Sequence, residues 1–385
     1  CQKMSHRKYS APRCGHLGYL PRKRCTHYKG QIRSFPKDDA TKKPHFTAFL
    51  GYKAGCTHVV RDVLAAGAKS KTEEQVQGAT IIDCPAMTVV GVVAYIDTTN
   101  GLRTFTTAWA EHLSESFRRR MYKNWYNAKK KAFTKHAAQA AESKKTLETE
   151  LARMKRVGAP VIRVIAHTKP EKTGLKMKAA HIIEIQINGG STEEKVDFAA
   201  AQLEQDLHVG DVIEEGEFVD AIGVTKGHGF EGVIKRWGVR VLPRKTMGGT
   251  RKVSCIGAWH PMGVQYSVAR AGQTGFNHRT EINKQVLRIA DSQAPNSGST
   301  AFDTTEKTIQ PMGGYPHYGL LRNEFVMIKG SCMGVPRRPI TLRKAMKAPN
   351  VIPATGLKWI ATGTNQGHGC NFQTSAEKAA FYGKK

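Results

Sequence analysis

The chain has 385 residues and a net charge of +29, from 60 Lys and Arg against 31 Asp and Glu. Its hydrophobic fraction of 40% supports a real core and excludes global disorder. The charge excess makes nucleic acid the expected partner. No run of about 18 apolar residues suggests a transmembrane helix; an anionic membrane surface would need a basic amphipathic helix or a lipid signal, and no myristoylation or prenylation motif occurs.

Residues 1–45 hold twelve Lys and Arg against Asp38 and Asp39, with prolines at 12, 21, 36 and 44 and glycines at 15, 18 and 30. This composition predicts an extended basic arm that orders on a partner. Its start lacks the apolar stretch of a secretory signal, and eight cysteines in so basic a chain read as reduced thiols; an intracellular protein is expected. Cys14, His16, Cys25 and His27 could offer four soft ligands. Their spacing matches no common zinc finger and no CxxC occurs, so no metal is expected.

From residue 46 the pattern becomes β-like. FTAFLGYKAGCTHVVRD predicts strands with a turn at Gly51 and Gly55, and ATIIDCPAMTVVGVVAYIDT a buried strand pair broken at Pro85. Residues 108–156 are rich in helix formers and predict a helical insertion, with Trp109 and Trp125 packed inside it. Within it, residues 118–135 carry eight Lys and Arg and no acid. VIRVIAHT and AAHIIEIQING predict two strands, residues 193–208 a short acidic helix, and GDVIEEGEFVDAIGVTKG a strand, turn and strand. These acidic elements are expected to face solvent. VLRIA, FVMIKGSC and RPITLRK predict further strands, and residues 345–385 a basic tail.

Lys226–Arg288 is the most informative stretch. It contains twelve Lys and Arg, two acids (Glu231 and Glu281), and interleaved glycines and aromatics. Packing those charges on one another without counter-ions is costly, so the stretch predicts a loop folded against a polyanion, with aromatic faces free to stack on bases. KGHGFEG matches dinucleotide-binding glycine spacing. The residues that follow, VIKRWGVRVLPRKT, predict no helix N-terminus for a pyrophosphate, and no acid follows at the ribose distance. No nucleotide cofactor is expected. No Walker, GxSxG or HExxH motif occurs, and no enzyme is expected. Trp259, among glycines and prolines and flanked by Arg251, Lys252 and Arg270, reads as an aromatic at a loop tip; Trp237 is a weaker case of the same kind.

Several of these segments resemble one family. SHRKYSAPRCGHLGYLPRKR, FPKDD, FLGYKAG, WAEHLSESFRRRMYKNWY, AFTKH, IQINGGS, VTKGHGFEGVIKRWG, LPRKT, RKVSCIGAWHP, SVARAGQTGF, QPMGGYPHYG and SAEKAAF look like the eukaryotic form of large ribosomal subunit protein three. They run in the family's order from Ser5 to Phe381. The resemblance implies a β-rich α+β fold: a translation-protein-type β-barrel core at 46–344, a helical insertion at about 108–156, a long basic RNA-penetrating loop at about 226–285, and basic extensions at 1–45 and 345–385. It implies a cytoplasmic ribosomal protein, transiently nuclear or nucleolar during assembly. The implied partners are large-subunit rRNA, especially its 3′ region, neighbouring large-subunit proteins and, indirectly, tRNA and elongation factors. No membrane, homo-oligomer or cofactor is implied beyond structural Mg2+ held with RNA. The long loop would reach the peptidyl transferase centre, with Trp259 and His260 near its tip. The residues expected to contact RNA are Arg7, Lys8, Arg13, Arg22, Lys23 and Arg24 in the arm and Arg118, Arg119, Arg120, Lys123, Lys129, Lys130 and Lys131 in the insertion. In the loop they are Lys226, His228, Lys235, Arg236, Trp237, Arg244, Lys245, Arg251, Lys252, Arg270 and Arg279. Two departures stand out: Cys1, Gln2 and Lys3 precede Met4, and Met247 occupies a position where relatives commonly have a methylatable histidine. Weighed against this reading are an RNA-modifying enzyme using KGHGFEG, which lacks its acidic partner, and a DNA-condensing chromatin protein, which needs no large β core.

Overall fold

A computed structural model describes residues 11–64, 72–142, 145–349, 356–363 and 371–383. In chain order the elements are β1 (His45–Phe46), β2 (Ala48–Leu64), β3 (Thr72–Asp83), β4 (Met87–Thr98), β5 (Gly101–Trp109), α1 (Glu115–Arg119), α2 (Thr134–Glu142), α3 (Lys145–Val157), β6 (Val161–Thr168), β7 (Ile182–Asn188) and α4 (Thr192–Ala201). They continue with β8 (Asp206–Leu207), β9 (Phe218–Val224), β10 (Gly227–Glu231), α5 (Val233–Trp237), β11 (Gly272–Gly275), β12 (His278–Asp291), β13 (Glu324–Lys329), β14 (Pro339–Lys344), β15 (Leu357–Ile360) and α6 (Ser375–Phe381). The fold is β-rich α+β, as the sequence predicts.

Two compact units result. One combines 1–28 with 224–279; the other combines 29–223 with 280–385. In the second unit, one sheet runs β14-β9-β12-β13-β3-β2-β15, and β14 also pairs with β2. Six strands therefore return on themselves in a closed circuit of pairings, which leaves few open edges. The other sheet runs β1-β7-β6-β4-β5, with β8 on β4. Phe49, Leu50, Ile81, Ile82, Val92, Ile162, Val164, Ile185, Phe325, Met327 and Leu342 belong to one continuous buried cluster. Arg343 closes the circuit electrostatically: it pairs with buried Asp220 at 2.5 Å and donates to the Ser34 carbonyl at 2.6 Å.

Several expectations change in the structure. Gly51 and Gly55 do not turn the chain; β2 runs straight through both. Gly51 faces Ile82, Asp83 and Cys84, and Gly55 faces the Tyr315 ring, each too closely for a Cβ. Glycine serves close approach here, with a register shift between Lys53 and Gly55 marking a bulge. The region 108–156 is not continuously helical. Trp109 ends β5, and between α1 and α2 there is only a short 3-10 turn at Trp125–Asn127. Like charges at helical spacing across 118–131 oppose an uninterrupted helix. Trp109 does pack on Phe117 and Phe133. Where a strand was predicted near 210–215, a 3-10 turn spans Val209–Asp211. The tail contributes β15, which pairs with β2, and α6.

Asp83 is a buried carboxyl in this core. It accepts hydrogen bonds from the Tyr318 hydroxyl and from Asn323 Nδ2 at 3.3 Å. Burial pushes it up to about 6, against the lowering pull of those two donors. A folded value above the unfolded one contributes stability that is present below about pH 4 and lost as pH rises through about 6. Asp83→Asn is therefore expected to gain stability relative to the parent between about pH 4 and pH 7, by about 3 kcal/mol at most. Denaturant unfolding of both proteins at the two pH values checks this; a constant difference would count against it.

Candidate nucleic-acid interface

The unit formed by 1–28 and 224–279 contains seventeen Lys and Arg and one carboxylate, Glu231. Its base is the antiparallel ribbon of β10 and β11, registered Gly227 to Gly275 and Glu231 to Gly272. The expected absence of a helix after KGHGFEG is corrected: α5 forms there, capped at its end by Gly238 with φ +69°. It is only five residues long, which suits packing of Trp237 rather than a cofactor site.

Trp237 organises this base. The ring is 5% exposed, so it is no free tip aromatic. The Arg22 guanidinium stands 3.8 Å from the ring centroid, Arg236 5.7 Å and Arg13 5.9 Å. Trp237 Nε1 donates to the Arg270 carbonyl at 3.0 Å, and Arg236 donates to the same oxygen at 2.7 Å and to the Gln273 carbonyl at 3.0 Å. Arg22 and Arg236 each donate to the other's carbonyl, and Arg13 donates to Ser267. Gly15 is required where it passes the Trp237 ring, with φ +80° and no room for a Cβ. Arg279 lies 4.4 Å over the Tyr19 ring, and Asn277 Nδ2 holds the Lys23 carbonyl at 3.0 Å. Burial lowers the affinity of the Arg22 guanidinium for its proton, and Arg236, Arg279 and Arg13 lower it further.

The expectation that so basic a stretch cannot fold on itself is thus overturned at its base. Guanidinium is weakly hydrated, planar and rich in donors, so it can stack on indole and saturate carbonyls without a carboxylate. The self-repulsion remains. The arm expected to be extended is, over its described residues 11–28, packed into this unit; Arg7 and Lys8 lie outside the described residues.

Beyond the base the character changes. Among residues 238–271 there is no strand or α-helix, and from 232 to 280 there is no acid. Trp259 is 83% exposed, with Met262, Tyr266 and Met247 similarly open. His260, Arg244, Lys245, Arg251, Lys252 and Arg270 are exposed, as are Lys23, Arg24, Lys226, His228 and Phe230. Lys235 is exposed but pairs with Glu231 at 2.7 Å.

In the other unit, Lys123, Lys129 and Lys130 are exposed, whereas their neighbours are engaged. Arg119 binds Glu115 at 2.8 Å. Arg120 donates to the Ala179 and Ala180 carbonyls. Lys131 donates to the Ala128 carbonyl at 2.8 Å and lies 4.6 Å from the Trp125 ring centroid. Arg118 is half-buried on α1. Among the described residues no cluster of three or more His, Cys, Asp or Glu could hold a metal ion; His16 Nδ1 instead accepts from Gly18 N at 2.9 Å. No described helix is long and apolar enough to cross a membrane.

One unit is thus a β-rich core, and the other holds seventeen Lys and Arg against one carboxylate. Comparison with known proteins makes this specific. The family model described as ribosomal protein L3 matches residues 4–367. The chain is 54% identical to large ribosomal subunit protein uL3 of Candida albicans over 383 residues, 99% of this chain and 98% of that one. It is 52% identical to the uL3 proteins of Saccharomyces cerevisiae (99% of this chain, 98% of that one) and Dictyostelium discoideum (99% and 98%). The chain belongs to the ribosomal protein L3 family, as its motifs suggested, and is a structural ribosomal protein rather than an enzyme.

The two tryptophans should respond oppositely to truncation. Trp237→Ala removes a buried ring and the surface on which Arg22 stacks, and is expected to cost about 3 kcal/mol or more of local stability. Trp259→Ala should cost less than about 0.5 kcal/mol. Limited proteolysis within 224–279 reads both; equal protection of the two variants would contradict this assignment.

Proposed function

We propose that the chain is a constituent of the large ribosomal subunit that binds rRNA, in its 3′ region, through three basic projections: the arm at 1–45, the insertion at about 108–156 and the loop at about 226–285. The observation that carries this reading is the stretch 232–280, free of acids and ending in an exposed aromatic and basic tip. Lysines and arginines neutralise phosphates and release counter-ions, giving affinity that falls steeply with salt. Backbone and shape contacts dominate, because folded RNA hides its deep major groove. Exposed Trp259 and Tyr266 suit stacking on unpaired bases.

On this reading the long loop supports the peptidyl transferase centre and the accommodation of tRNA and elongation factors, with Trp259 and His260 at its tip. Neighbouring large-subunit proteins are the remaining partners, Mg2+ is held jointly with RNA, and no homo-oligomer forms. The protein works in the cytoplasm and passes through the nucleus and nucleolus during subunit assembly. Sedimentation of lysate at low and high salt tests the core of this: co-migration with large subunits that survives high salt supports it, and migration as free protein would overturn it.

Reversing Arg251 and Lys252 to Glu is expected to weaken association with rRNA and to flatten the slope of log affinity against log salt by about 1.5. Unchanged affinity and slope would remove both residues from phosphate contact. Trp259→Ala should leave subunit association intact while slowing elongation, measured as peptide synthesis by variant ribosomes.

A further inference from the structure

The basic tail lies outside the three projections proposed to bind rRNA. Residues 345–385 hold five lysines and a single acid, Glu377. They include β15 and α6, and α6 has no buried residue. Its seven residues make about two turns, too few to hold as a helix without help. The help comes at its start. Thr374 Oγ1 caps the helix by accepting from Glu377 N at 3.2 Å. Glu377 accepts from Gln373 N at 2.9 Å and from Thr305 Oγ1 at 3.3 Å. Gln373 in turn accepts from Thr362 N at 2.8 Å and from Thr362 Oγ1 at 3.1 Å, and Thr362 is buried just past β15. The helix is thereby fixed to the core at its first turn.

The far end presents rings. Phe381 and Tyr382 meet edge to face with centroids 5.2 Å apart, and Phe372 lies 5.3 and 5.9 Å from them. Phe381 is nevertheless 73% exposed and Tyr382 60%. Aromatic rings held together in a cluster and left open to water mark a binding surface. Charge selects the partner. Lys378 stands three and four residues before Phe381 and Tyr382, which puts it on their face of the helix. It is exposed and has no ion pair among the described residues. The one acid of the tail is spent at the opposite end, on Gln373 and Thr305. Glu306, next to Thr305, lines a cleft with Thr374 and Ser375, again at the start of α6. A nucleotide uses both features of the far end, its base stacking on a ring and its phosphate meeting the ammonium.

We infer that the end of α6 is a fourth RNA contact, a stacking platform on which Phe381 and Tyr382 receive unpaired bases while Lys378 holds the adjoining phosphate. The inference rests on the proposed rRNA binding for the identity of its partner, and it adds a contact remote in sequence from the long loop.

The test uses the full chain freed of RNA. Lysine acylation is followed residue by residue by peptide mass spectrometry, with and without a short oligouridylate, whose bases are unpaired. The oligonucleotide should protect Lys378 as well as Lys252 of the loop. Changing Phe381→Leu together with Tyr382→Leu keeps an apolar surface and a good helix former but removes the stacking faces. That variant should need about tenfold more oligonucleotide to protect Lys378, with protection of Lys252 unchanged. No protection of Lys378 in the parent, the same protection in the variant, or an equal loss at Lys252 would overturn the platform. In purified large subunits Lys378 should be protected, and ribonuclease should expose it. Protection that survives ribonuclease would assign a neighbouring protein as the occupant and would also overturn it. If the chain never joined large subunits, the function proposed above would fail while the oligonucleotide measurement on the free chain still decided the platform.

Discussion

Everything distinctive in this molecule follows from uncompensated positive charge. The unit of 1–28 and 224–279 must fold with seventeen cations and a single carboxylate. It does so by replacing ion pairs with arginine stacking and arginine-to-carbonyl hydrogen bonds around Trp237. Lysine could not substitute freely, because its compact, strongly hydrated ammonium neither stacks as a plane nor donates in a fork. This solution satisfies geometry without neutralising charge. The unit therefore remains a concentrated source of positive potential, which is the physical requirement for holding a polyanion.

The other unit handles charge in the opposite way. It holds thirty of the chain's carboxylates and pairs many of them internally: Asp220 with Arg343, Asp38 with Lys195, Asp303 with Lys307 and Asp206 with Lys169. Such pairs do little for net stability, but Asp220 and Arg343 stand opposite one another on two paired strands of the circuit. One exception is informative: Asp83 is buried with Tyr318 and Asn323 as its partners and no cation among the described residues, which leaves a proton to settle the balance.

Much of this was legible in the sequence because it depends on composition and period. β-branched runs at 72–98 and 161–168 formed strands, the acid-free stretch around 232–280 marked the exposed loop, and glycines flanking Trp259 placed it outside the core. What misled were residues whose role depends on a distant neighbour. Gly51 and Gly55 looked like turn formers, yet they admit Ile82 and Tyr315. Trp237 resembled Trp259 in local context, but Arg22, more than two hundred residues away, covers it. The insertion was expected as a helix because propensity is local, whereas charge repulsion and the packing of Trp109 on Phe117 broke it into short pieces.

The sequence by itself determined the fold class and the family and pointed to a polyanionic partner, since net charge, periodicity and ordered motifs survive without coordinates. Only the tertiary structure decided which cations are free. Arg22 and Arg236 are occupied by carbonyls and an indole, and Arg120 by the Ala179 and Ala180 carbonyls. The physical reason is that a charged side chain's availability depends on what stands within a few ångströms of it, and in this chain those neighbours are brought together from positions far apart in sequence.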